Sequence, residues 1–396
     1  MKQPSLLISL VFFFCSSASG AQINTPINEC LTHIEDYNDR DEVLFLRSCN
    51  LADEDIPFVD EYIKSKGLYN IFLENNKITS KGAKILAENN SISYLHLSSN
   101  EIDDEGVIAL AQSKHLNTLT LASNPVGDEG IIALAKSPKL EALSIGKGTF
   151  GEESFVYLIQ NSLIDFLHIN EIKLTHPMAE ALSQNSRIDY LEIEGVDIAE
   201  DDLRLISMMP RIRVFNLIRS SLGDVAAESF AANSQAVLLR FMTAPLSKKG
   251  YEALGTMNSL TGLAFGWDGN SLENPLTAEK MQSIIKLPNL RSLHIINALI
   301  TDDAVAEIAK SNRLTELWLN DSHVSDKGAA SIAGNTSITW LILDTNNIHN
   351  EGAIALSKNT TVEHLNIMHN PIGREGKMAL KSSTIKSLYM DEDETN

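Results

Sequence analysis

Chemistry in this chain would have to come from a few scattered groups. His96, His168, His294 and His364 recur in similar contexts, and His364 has His369 close by in sequence. Imidazoles gathered with carboxylates can hold a metal ion or move protons. Glu192 and Glu194 offer a carboxylate pair, the arrangement that cleaves glycosidic bonds when the separation suits. Gly146, Gly148 and Gly151 match G-x-G-x-x-G, which cradles a dinucleotide only between a strand and a helix, with an acidic residue on the next parallel strand. No HExxH, Walker-type loop, G-x-S-x-G or EF-hand loop occurs, and the three cysteines lack zinc-ligand spacing.

The elements that must position these groups are set by a repeat. The stretch Ile92 to Gln112 places Leu95, Leu97 and Asn100 as L-x-L-x-x-N and then passes through Asp103, Asp104 and Glu105 into an apolar helical run. Steps of 24 from Leu97 reach Leu121, Ile145, Ile169, Ile193, Leu217, Phe241 and Phe265. A period of this size specifies stacked repeats, in which each unit buries its apolar face only against its neighbours. The next strand residue after Phe265 is Ile295, so six extra residues fall around Trp267 to Pro275, a turn-forming segment expected to project as a loop. Gly82, Gly106, Gly130, Gly250, Gly328, Gly352 and Gly376 form one helical column, and Leu86, Leu110, Leu134, Leu158 and their successors form the packed column four residues on. Asn89, Asn161, Asn185, Asn233, Asn335 and Asn359 stand at helix ends, where a left-handed closing conformation is expected.

The unit L-x-x-L-x-L-x-x-N-x-I-x-x-E-G-x-x-A-L-A resembles the ribonuclease-inhibitor-like class of leucine-rich repeats. Its length and its G-A-x-x-L-A helices, nearest the signature at Gly352 to Leu356, are similar to the GALA-type repeats of bacterial effectors. Those effectors carry an F-box ahead of the repeats; only about twenty mature residues precede them here, so ubiquitin-ligase recruitment is not implied. The resemblance implies an α/β leucine-rich-repeat solenoid, a curved horseshoe with parallel strands on the concave face and helices on the convex face. In such repeats Asn76, Asn100 and Asn124 sit at the turn after the strand and satisfy backbone groups. This column changes from Gly148 to Ser322 and returns to Asn at Asn346 and Asn370, so weaker hydrogen bonding is expected in the centre. The organisation expected is a signal peptide (1–21), an N-terminal cap (22–41), leucine-rich repeats (42–390) and an acidic tail (391–396).

In this register the histidines lie on strands spaced ~4.8 Å apart, and most are separated by whole repeats, so no catalytic, cofactor or metal site is expected. Glu192 and Glu194 read as surface charge, and the glycine triplet reads as the turn of one repeat. The concave rows carry a stronger pattern. His294, Trp318 and Tyr389 lie between the strand leucines, Trp340 and His364 lie two residues earlier, and Trp267 stands at the base of the extra loop. Large aromatics and histidines gathered on one face have the composition of interface anchors, although some could instead pack against each other to fill a curved inner surface.

The first residues give a basic start at Lys2, an apolar run from Leu6 to Phe14 and small residues at Ser19 and Ala21, the pattern of a secretory signal peptide. The mature chain is expected in the periplasm or secreted, as a monomer with no membrane association. Cys30 and Cys49 are then the remaining thiols, and an oxidising compartment favours a bridge between them. A net charge of −20 argues against nucleic acid or anionic lipid as partner and favours a basic one. The reading is an exported, non-enzymatic protein that binds another macromolecule, a protein by preference, through its concave face. A glycan-binding or glycan-cleaving protein and a structural envelope component remain as alternatives.

Overall fold

The structure, a computed structural model, describes residues 30, 31, 34, 38, 39, 42–219, 223–232, 236–242, 246–266 and 275–392. The expected signal peptide, most of the expected cap, Trp267 with most of its loop, Asn233 and residues 393–396 of the tail lie outside the described residues.

Among the described residues, one sheet of sixteen strands runs in chain order from β1 (Asn38–Asp39) to β16 (Ser387–Tyr389). β1 is antiparallel to β2 (Val43–Phe45), and the later pairings from β2 onward are parallel. Helices alternate with the parallel strands. Register follows the repeat, with Leu95 opposite Leu119 and Leu119 opposite Leu143. Across the long spacing Leu263 still faces Leu293, so the extra residues leave the ladder in step.

The alternation of strand side chains sends Leu95 and Leu97 to the helix side, where both are fully buried. The helical leucine column from Leu86 to Leu380 meets them in one continuous core. The column glycines bring the helices together: a Cβ on Gly106 would lie 2.7 Å from Ser80 Oγ and 2.9 Å from Ser80 Cα of the preceding repeat.

The asparagine column forms a hydrogen-bonded ladder. Asn100 Nδ2 donates to the carbonyls of Leu73 and Leu97, and its Oδ1 accepts from the Ile78 amide, each at 3.0 Å. Asn124 and Asn370 repeat this pattern. Where the column runs from Gly148 to Ala298 the strands lengthen, while Glu316–Trp318, followed by Ser322, keeps three residues. Those from Ala142–Gly146 to Ser292–Ile296 have five residues, against three for Tyr94–His96 and Trp340–Ile342. Added backbone pairs such as Ile169 with Ile193 and Asn170 with Glu194 thus take up part of the role of the missing amide.

One further expectation is corrected. Asn89, Asn185, Asn335 and Asn359 do not close helices in a left-handed conformation. Their side-chain oxygens accept from amides two or three residues on, and the amide groups of Asn335 and Asn359 also tie back to the preceding repeat. The left-handed residues stand instead just before the asparagine column, as at Asn75, Ser99, Ser123, Thr345 and His369, where the chain leaves the strand. Acidic residues at helix starts also bind the next repeat. Asp104 Oδ1 accepts from the Gly127 amide at 2.6 Å and Asp128 Oδ1 from the Gly151 amide at 2.7 Å, capping the next helix.

Candidate functional site on the concave face

The strand positions between the core leucines line the inner curve. Through the first half, from Phe72 through His96, Thr120, Ser144, His168 and Glu192 to Asn216, these residues are buried by their neighbours. Phe45 stacks on Phe72 at 4.8 Å and Phe166 on Tyr190 at 4.0 Å between centroids. Burial, aided by the positive charge of Arg47, pushes the His96 imidazole down to about 3. Here the inner surface is filled by its own side chains.

The last strands differ. His294 stacks on Trp318 with centroids 4.0 Å apart, and Trp340 stacks on His364 at 4.5 Å. Trp340 stands across the ladder from Glu316, diagonal to Trp318, and Tyr389 pairs across from Asn366. His294 Nε2 lies 2.8 Å from Ser292 Oγ and 3.1 Å from Glu316 Oε1. Burial tends to raise the Glu316 pKa, but hydrogen bonding with His294, Ser292 and Trp318 and the charge of His294 outweigh it and hold the carboxyl below its usual range.

A polar cluster occupies the middle of the face. His168 Nδ1 is 2.9 Å from Ser144 Oγ, and its Nε2 is 3.3 Å from Glu194 Oε2 and 3.7 Å from Glu192 Oε1. Tyr190 and Asn216 donate to Glu192, while Arg219 pairs with Glu194 at 3.0 Å and with Glu171 at 3.3 Å. The series Ser144, His168, Glu194 has the residue types of a hydrolytic triad, but the Ser144 hydroxyl is buried within the sheet and is not offered to a substrate.

The glycine triplet holds no phosphate cradle. The Lys147 amide donates to Asn170 O, the Thr149 amide to Val126 O and the Gly151 amide to Asp128, so the turn is committed to neighbouring repeats.

Four segments, 88–111, 112–135, 334–357 and 358–381, match the Leucine Rich repeat family. All four carry the column asparagine. An internalin (inlF) from Listeria monocytogenes has a similar structure, 15% identical, with a TM-score of 0.50 over 86% of this chain and 95% of that one. The chain folds as a leucine-rich-repeat solenoid. A TLR13–ssRNA13 complex also matches, at 15% identity and a TM-score of 0.49, and the solenoid, 82% covered, spans 53% of that chain. No curated protein sequence matches.

Of the residues singled out in the sequence, the solenoid brings His294 to Trp318 and Trp340 to His364. Tyr389 lies one strand beyond, and Trp267 is outside the described residues. The repeat register missed the His168 cluster because it compared histidines only with one another. One step of 24 from His168 lands on Glu192, and one from Asn170 lands on Glu194, so the signal was present. Neither glutamate is ordinary surface charge: Glu192 is buried and Glu194 half-buried.

Proposed function

We propose that this solenoid is an exported, monomeric recognition protein that binds a protein partner through the C-terminal half of its concave face. His294, Trp318, Trp340, His364 and Tyr389 supply the contact, with Trp267 at its edge. The observation that carries this reading is a contrast within one row. Tyr94, Phe166 and Tyr190 are 7–8% exposed, whereas Trp340, at the equivalent position, is 45% exposed. Tyr389 is 59% exposed in the adjoining row. Water-exposed aromatics held in place by stacking are preordered anchors, which lowers the entropic cost of binding.

Glu316 stands across the ladder from Trp340 and beside His294, and the overall charge is −20, so the partner surface is basic. Export follows from the signal-like first residues, and the helix signature supports kinship with GALA-type repeats. No helix among the described residues is long and apolar enough to cross a membrane. The mechanism is non-enzymatic: the sheet holds the anchors at fixed spacing and the partner covers them. Capture by the mature chain, run beside a W318A/W340A copy and a glycan array, tests this reading. A protein captured only by the unaltered chain supports it. Capture unaffected by the substitutions, or binding confined to oligosaccharides, contradicts it.

A further inference from the structure

The central cluster lies apart from the aromatic patch, and its geometry has its own meaning. His168 comes from the strand Phe166–Asn170, and Glu192 and Glu194 come from the next strand, Tyr190–Glu194. The parallel register sets His168 beside Glu192, and Glu194 follows two residues on with its side chain on the same face. One donor atom from each of the three lies within 4.8 Å of the other two. His168 Nε2 is 3.3 Å and 3.7 Å from the two carboxylate oxygens. A tetrahedral ion with bonds of about 2.1 Å places its ligand atoms roughly 3.4 Å apart.

The surroundings orient each donor. Ser144 Oγ contacts Nδ1 and can accept a hydrogen bond from it; in that tautomer the Nε2 lone pair faces the carboxylates. Glu192 turns Oε1 to the imidazole while its Oε2 accepts from Tyr190 at 3.0 Å and from Asn216 at 2.8 Å. Glu194 turns Oε2 to the imidazole and engages Arg219 through Oε1 at 3.0 Å. Asn170 Nδ2 also donates to Glu194 Oε2 at 3.0 Å, supporting that oxygen from one side. The imidazole nitrogen and the two carboxylate oxygens thus converge on one point, which a divalent ion can occupy in place of an Nε2 proton released to solvent.

We propose that His168, Glu192 and Glu194 form a three-ligand site for a divalent ion of the zinc class, with its remaining coordination directed toward the concave groove. Nitrogen with oxygen donors favours such an ion over calcium or magnesium, which prefer oxygen alone. The site does not rest on the partner-binding reading.

Untagged mature protein, stripped with a chelator and dialysed at neutral pH against zinc chloride, should retain one zinc per chain, undiminished by millimolar magnesium or calcium. Cobalt chloride should give the intense visible absorption of a four-coordinate ion. H168Q and E192Q should abolish both signals, and S144A, which keeps every ligand, should weaken zinc binding ~10-fold. Circular dichroism and urea titration of the stripped proteins show whether each variant is folded. Retention of less than half an equivalent by the unaltered chain overturns the proposal. So does zinc binding unchanged in folded H168Q or S144A; if H168Q is unfolded, S144A and the cobalt spectrum decide.

Discussion

The indole of Trp318 lies flat on the imidazole of His294, with ring planes 9° apart and centroids at 4.0 Å. The two residues come from neighbouring strands, so the stack is a cross-strand pair that leaves the remaining faces of both rings for other contacts. A double-mutant cycle with H294A and W318A should show about 1 kcal/mol of coupling in urea unfolding. Strict additivity would mean that the stack does not hold the indole in place.

Acid should destabilise the solenoid through His96. Its folded pKa is pushed down to about 3, so between the ordinary imidazole value and 3 the unfolded chain binds a proton that the folded chain excludes. The contribution is therefore full above pH 6.5 and is lost as pH falls below it, with a slope of up to about 1.4 kcal/mol per pH unit. Glu316 acts in the same direction at lower pH, because its depressed carboxyl favours the fold above 4.5 and loses that effect as pH falls through its folded value. Urea unfolding of the unaltered chain, H96Q and E316Q between pH 3 and 8 measures both. An H96Q profile as steep as the parent would remove His96 from this account.

The asparagine ladder gives a graded stability series. Asn100 satisfies two carbonyls and one amide, so N100A should cost about 2 to 4 kcal/mol. Ser322 stands in the same column, and its Oγ reaches only carbonyls, Ile295 O at 3.1 Å and Asn320 O at 2.9 Å. S322A should cost about 1 kcal/mol. Equal losses in chemical denaturation would show that the side-chain acceptor of asparagine adds nothing. Hydrogen exchange should find the long central strands about as protected as the asparagine-bearing repeats.

Much of this was legible in the sequence because the repeat constrains it. A step of 24 residues fixes which side chains stand beside one another, so the buried columns and the pairs His294–Trp318 and Trp340–His364 follow from counting. Counting does not give the depth of burial. Tyr190 and Trp340 share a row, yet only the latter is exposed, because the rows of the first half fill the inner curve with stacked rings and ion pairs. Nor does it give backbone compensation: nothing at Ile172 or Val196 announces that the strands before them gain two residues. The left-handed column escaped notice because Ser99, Thr345 and His369 share no residue type, the conformation being imposed by the turn.

The amino end should be stabilised by a bridge. Cys30 and Cys49 are joined in the structure, with Cα atoms 6.0 Å apart and a sequence separation of 19. Closing a loop of this length stabilises by ~3 kcal/mol. Intact mass before and after alkylation, on protein from its natural compartment, should show two thiols only after reduction; two free thiols beforehand would reject the bridge.

The account stands or falls on whether the exposed aromatics carry recognition. Trp318 and Trp340 lie outside the leucine core, so W318A/W340A should keep the circular dichroism spectrum and most of the unfolding free energy. With anchors worth ~2 kcal/mol each, titration calorimetry against the captured partner should show affinity reduced by roughly several hundredfold. As a matched control, alanine at Phe45, stacked at the other end of the concave face, should leave affinity unchanged. A folded W318A/W340A protein that binds with the affinity of the parent would contradict the placement of the site.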